Sequence, residues 1–133
     1  MLGWGNPATT GNHSDTFTIR DFTASVRPDR KAIVRNNNFD NESPNVTGSF
    51  FIQANGRIDN VLIEGNLLTG GGYNLALEQG RGGYSNISAI NNRFTPTGYG
   101  PTYTTGGEGW RIWQDNSIYS PIMPNGMGAT VLP

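Results

Sequence analysis

The sequence predicts an all-β domain, a short right-handed parallel β-helix (a β-solenoid) of about four coils of 24–29 residues, and three observations carry that reading. First, a motif of the form φ-x-φ-x-x-Asn-x-φ, with φ apolar, recurs in residues 32–39, 61–68 and 87–94, and more loosely in 111–118. Its asparagines, Asn37, Asn66, Asn92 and Asn116, are 29, 26 and 24 residues apart. Second, another strand-like run lies between successive copies, Phe50–Gln53 and then Leu75–Glu78, with Phe17–Arg20 as the same strand of an earlier, incomplete coil. Third, Gly, Pro, Asn or Thr interrupts every window of a dozen residues, so no long amphipathic helix can form. A coil cannot bury its own inner face, but parallel stacking of coils makes a continuous core. Coils of this length exceed the about 18 residues of a left-handed hexapeptide helix, which points to the right-handed kind.

The elements follow in chain order, with 1–120 as the β-helix and 121–133 as a C-terminal tail or cap. Phe17, Phe39, Phe94 and one of Phe50 and Phe51 fall at inward positions and are expected in the core. In 60–78, Val61 and Ile63 share one face, as do Tyr73, Leu75 and Leu77, which is the alternation of strands buried on one side. Each motif asparagine can accept left-handed backbone angles at a bend, and stacked amides can bond from coil to coil. The run Gly70–Gly72 is expected to leave an open floor, and 95–109 to be the longest irregular insertion. The tail 121–133 is apolar but broken by Pro and Gly, suited either to cap the last coil or to pack on a partner.

Composition narrows the function classes. The 133 residues suit one domain. Charged residues make up only 14% of the chain and the net charge is −1, with the basic groups scattered, so nothing recommends a nucleic-acid partner. The absence of cysteine removes disulfides, Cys-ligated zinc and a thiol nucleophile. No run of 18 apolar residues is present to span a membrane, and the N-terminal residues lack the basic and apolar regions of a signal peptide. An extracellular or virion-associated place then implies a trimmed signal, a longer parent chain, or another route of export such as phage assembly.

The stretch Asn60–Tyr73 (NVLIEGNLLTGGGY), followed by Asn86–Phe94 (NISAINNRF), resembles the right-handed parallel β-helix of the pectate-lyase-like superfamily. The repeat is most similar to the type found in secreted actinobacterial and phage tail β-helix proteins. The resemblance covers roughly residues 12–120. In that group a His-x-Asp turn often opens an early strand, and His13-Ser14-Asp15 before Thr16–Ile19 is similar to it, although the Gly-Ile-Gln that usually follows is replaced by Thr16-Phe17-Thr18. The superfamily holds lyases, hydrolases, epimerases and non-catalytic tail modules, so the resemblance implies a fold and several possible activities. Its lyases use Arg or Lys as a base, often with Ca²⁺ on Asp or Glu; its hydrolases use two carboxylates.

Candidate site residues follow from stacking the strands. Arg20, Gln53 and Glu78 fall at one equivalent outward position, and Arg35 falls beside Glu64 as a cross-coil ion pair on a solvated face. His13 is the sole histidine and, with Asp15 nearby, is either an oriented general base or part of a turn that leads into the strand. His13, Asp15, Arg20 and Glu78 form the most plausible catalytic set if the chain is a polysaccharide lyase or glycoside hydrolase acting on an acidic polysaccharide. Asp15, Asp21, Asp29, Asp40, Glu42 and Asp59 are too dispersed for a metal cluster; no cofactor is expected, with Ca²⁺ entering only under the lyase alternative. Gly71, Gly72, Tyr73, Tyr99, Tyr103 and Trp110 are the candidate ligand-binding residues, because exposed rings among Asn, Thr and Gly suit the flat faces of sugars. Trp4, Tyr73, Tyr84, Tyr99, Tyr103, Trp110 and Tyr119 are all expected at turns or loops. The favoured expectation is a structural, receptor- or glycan-binding module of a phage tail or surface protein, either a homotrimer or part of a longer chain.

Overall fold

A computed structural model describes residues 15–23, 29–41 and 47–133 of the chain. It is a parallel β-solenoid. Strands β1 (Asp15–Ile19), β4 (Gly48–Gln53), β7 (Tyr73–Glu78) and β10 (Gly100–Thr105) form a first sheet. Strands β2 (Ala32–Arg35), β5 (Ile58–Glu64), β8 (Tyr84–Ile90) and β11 (Trp110–Gln114) form a second. A third holds β3 (Asn38–Asn41), β6 (Leu67–Gly70), β9 (Arg93–Phe94) and β12 (Ser117–Tyr119). Every pairing among these strands is parallel, and each level takes one strand from each sheet in turn. A final strand, β13 (Met127–Thr130), returns antiparallel along β12.

The registers match the expected repeat. Phe17, Phe50 and Leu75 are aligned across the first sheet, and Ala32, Val61 and Ile87 across the second. Their alternates point inward, so Phe50, Ile52, Ile63, Leu75, Leu77 and Ile87 are wholly buried in one core running along the axis. Of the two adjacent phenylalanines, Phe50 takes the core position; its ring packs on Phe17 at 5.0 Å and on Phe39 at 5.5 Å.

The corner between the second and third sheets holds two residues at each level, and they divide the work expected of one asparagine. Asn36, Gly65, Asn91 and Asp115 come first, with φ between 54° and 64°, the left-handed region that Asn, Asp and Gly tolerate. Asn37, Asn66, Asn92 and Asn116 follow and stack. Their Nδ2 groups donate to the next Oδ1 at 3.0 Å each, from Asn37 to Asn66, Asn66 to Asn92 and Asn92 to Asn116. Each accepting oxygen also takes the backbone N–H of the preceding asparagine, at 2.9–3.1 Å. The other Nδ2 hydrogen reaches a carbonyl of the level before: Val34 for Asn66, Ile63 for Asn92 and Ala89 for Asn116. Burying an amide is costly unless its bonds are made, and here they are made.

One expectation changes at the last level. The segment 95–109 contains β10, in register with β7, rather than one irregular insertion. The tail packs against the last level: Val131 is 5% exposed and joins the core, its N–H donates to the Asn116 carbonyl at 2.9 Å, and its carbonyl accepts the Trp113 indole N–H at 2.7 Å.

Candidate functional site

The outer face of the first sheet gathers most of the predicted site residues that the structure describes. At the C-terminal ends of its strands, Arg20 donates through Nη1 to the Gln53 Oε1, and Gln53 donates through Nε2 to the Glu78 Oε2 at 3.1 Å. The expected outward row of Arg20, Gln53 and Glu78 is therefore present. Arg35 and Glu64, aligned on the second sheet, pair at 2.7 Å with Arg35 exposed and Glu64 partly exposed.

Beside that row lies an aromatic surface. Phe51, between the inward Phe50 and Ile52, faces out and shares a row with Ala76 and Tyr103. Tyr73 stacks on Tyr103 with centroids 5.1 Å apart and planes 29° apart, and Tyr99 leans on Tyr73 at 5.6 Å. Tyr99 is 79% exposed and Tyr103 36%, whereas Phe51 is 6% exposed and serves as the footing of the surface. Ala76, the small residue between Phe51 and Tyr103 in the row, is wholly buried.

The glycines act differently from expectation. A Cβ on Gly70 would collide with the Asn41 carbonyl, and one on Gly71 would lie 2.9 Å from the Gly48 Cα. A Cβ on Gly72 would lie 2.8 Å from the Tyr99 ring. The expected open floor at 70–72 is thus filled, by Asn41 and Gly48 of the adjoining level and by a tyrosine. Gly72 is what lets Tyr99 lie down against the corner.

The predicted catalytic residues do not all meet. Asp15 begins β1 and accepts the Thr18 hydroxyl at 3.0 Å, whereas Arg20 lies just past the end of the same strand. Five residues of extended chain separate them by roughly 16 Å, at about 3.3 Å per residue. Arg20 and Glu78 share a row, and His13 lies outside the described residues, as do Trp4, Glu42 and Val46. Among the described residues there is no group of three His, Cys, Asp or Glu side chains able to hold a metal ion.

Several aromatics are on strands, not in loops. Tyr73 and Tyr103 belong to β7 and β10. Trp110 opens β11, donates its indole N–H to the Thr104 hydroxyl at 2.8 Å, and packs on Trp113 on the core side, away from the stacked tyrosines. Tyr84 is 2% exposed; its hydroxyl reaches the Thr105 and Gly106 carbonyls and tethers the turn that follows β10. Burial pushes the Tyr84 hydroxyl pKa up, against the opposing pull of the Gly109 backbone.

Sequence reasoning did not single out a network on the outer side of β5 and β8. Arg57 donates through Nε to the Asp59 Oδ1 at 2.7 Å and through Nη2 to the Ser85 Oγ at 2.7 Å. Ser85 donates in turn to the same Asp59 oxygen at 2.6 Å. Burial alone would raise the Asp59 pKa, but the bonds from Ser85, Arg57 and Thr23, with the Arg57 charge, hold it below the ordinary value of 3.8. The signal that could have found it is the offset between the copies: Arg57 and Asp59 lie in one coil and Ser85, 26 residues past Asp59, in the next.

The class of protein defined by this architecture is the parallel β-helix. Set against protein-family models, curated proteins and solved structures, the chain matches none of them.

Proposed function

We propose that the chain is a glycan-binding structural module of an extracellular or virion-associated surface or tail protein, working as a homotrimer or within a longer chain. The observation that carries this reading is the stack of Tyr73, Tyr99 and Tyr103 on the outer face of the first sheet. Flat rings with polar hydroxyl tips offer both an apolar platform for a pyranose face and hydrogen bonds at its rim. The adjacent row of Arg20, Gln53 and Glu78 supplies donors and acceptors along the same face. Tyr73 stands on β7, which is held at both edges by β4 and β10, and Tyr103 stands on β10, paired along its length with β7, so binding orders little chain. The separation of Asp15 from Arg20 and Glu78 weighs against the lyase or hydrolase alternative.

A glycan panel tests the reading, with the paired variant Tyr99→Ala and Tyr103→Ala as control. The variant should keep its β-sheet circular dichroism and lose at least about tenfold in affinity, the loss of about 1.4 kcal/mol. Light scattering should return a trimer. Two results would sink the proposal: no glycan bound by the wild type, or a monomer that degrades an acidic polysaccharide and loses that activity in His13→Ala.

A further inference from the structure

A second column of left-handed residues runs up the second sheet. Val61, Ile87 and Trp110 are in register, and the residues just before them, Asn60, Asn86 and Gly109, have φ of 57°, 54° and 72°. Asn86 donates its Nδ2 to the Asn60 Oδ1, and Asn60 donates its own to the Arg30 carbonyl at 3.4 Å. An asparagine at the next level would donate to the Asn86 Oδ1. The chain has Gly109 there, and a Cβ on Gly109 would meet nothing within 4 Å. Where the column stops, a cleft of 440 Å³ opens, lined by Ser85, Asn86, Glu108, Gly109 and Arg111. That volume is within the about 300–1,000 Å³ usual for small-molecule sites.

We infer that this cleft is a saccharide subsite for a neutral sugar unit, whose hydroxyls take the place of the missing asparagine rung. The lining groups are complementary to a polyol. Ser85 is already committed to Arg57 and Asp59, which fixes the back wall. The Asn86 Oδ1 and the Glu108 carboxylate accept hydrogen bonds, and the Arg111 guanidinium donates them. A sugar hydroxyl does both at once, donating to Glu108 or Asn86 while accepting from Arg111. The wall carries one negative and one positive side chain, so an ionic ligand is attracted by one and repelled by the other and gives up its hydration with no net charge to compensate it. A neutral polyol meets no such penalty. The turn bearing Glu108 and Gly109 is held in place by the Tyr84 hydroxyl, so the cleft is preformed.

The site is separate from the tyrosine face and does not rest on it. The test is titration of the ¹⁵N-labelled chain with methyl glucoside, methyl galactoside and methyl mannoside, with glucuronate and glucosamine as charged counterparts. The inference expects at least one neutral glycoside to shift the amide signals of Ser85, Asn86 and Gly109, including the Asn86 side chain. Those shifts should persist in the Tyr99→Ala, Tyr103→Ala variant. Gly109→Asn should abolish them while raising the melting temperature, because the new amide bonds to Asn86 at a backbone angle that asparagine already adopts twice in this column. Glu108→Ala, on an exposed turn, should weaken binding about tenfold, as loss of a charge-assisted hydrogen bond does. No shift at these residues with any neutral glycoside, shifts with the charged sugars alone, or unchanged binding in Gly109→Asn or Glu108→Ala would each overturn it.

Discussion

Two columns of asparagine amides run along this solenoid, and they end differently. In the corner column the amides donate forward, from Asn37 to Asn66, Asn92 and Asn116, and three of the four are buried. In the column on the second sheet the donation runs backward, from Asn86 to Asn60, and the column stops at a glycine. The first is closed at its last rung by the Ala89 carbonyl and by the tail. The second presents an acceptor, the Asn86 Oδ1, to a cleft. The same side chain is therefore a structural tie where it is enclosed and, on the inference above, a binding group where its neighbour is absent.

The largest effect expected from breaking this comparison is at Asn92. Asn92→Ala removes partners from the Asn66 N–H and Nδ2, the Ile63 carbonyl and the Asn116 Oδ1, all within the fold. Unsatisfied buried groups cost roughly 1–3 kcal/mol each, and partial relaxation leaves an expected loss of about 3 kcal/mol or more in urea unfolding. A loss under about 1 kcal/mol would show the ladder to be dispensable.

Asn86→Ala comes next. It forces alanine into left-handed backbone and removes one amide bond, for about 2 kcal/mol, whereas Asn86→Gly keeps the angle and should cost about 1 kcal/mol. If the two variants are equally stable, backbone angle is not what selects asparagine there.

A smaller effect belongs to pH. The Asp59 carboxyl titrates below its unfolded value of 3.8, so its contribution is fully present above that value and is lost as pH falls through the lower folded one. Acid unfolding followed by tryptophan fluorescence should therefore be less steep in Asp59→Asn than in the wild type across that window, with no difference in pH response near neutrality. The least effect is expected at the exposed Arg35–Glu64 pair, where Glu64→Ala should change stability by about 0.5 kcal/mol or less.

Much of the frame was legible in the residues. Val61 and Ile63, like Leu75 and Leu77, stand two residues apart in central levels and enter the core cluster, whereas Leu62 and Ala76 between them do not. The third sheet was not legible as strands. Its members are short, down to the two residues Arg93–Phe94, and offer a single inward residue such as Phe39, Leu68 or Phe94, which cannot display alternation. Strand β10 was hidden because Thr102 and Thr104 stand in register with Leu75 and Leu77, an inner face finished by polar contacts such as that of Trp110 with Thr104. The glycine corner was misread because a missing side chain is equally consistent with a vacancy and with a close backbone approach, and here Gly48 and Asn41 fill the space. The tyrosines were identified one by one, but their stacking depends on a register between β7 and β10 that no local pattern carries.

The unequal offsets along the corner ladder, 29, then 26, then 24 residues, have a consequence for how such a chain can change. The two-residue corners recur while the contour length varies, so additions are absorbed elsewhere, in the remaining turns and in the one-residue register shift between Trp110 and Ile112 of β11. The ladder behaves as a fixed spine to which turns of arbitrary content can be grafted. Exchanging the turn between β9 and β10, which carries Tyr99, would then rewrite the surface without touching the frame, and the face could drift under selection while the scaffold stands still.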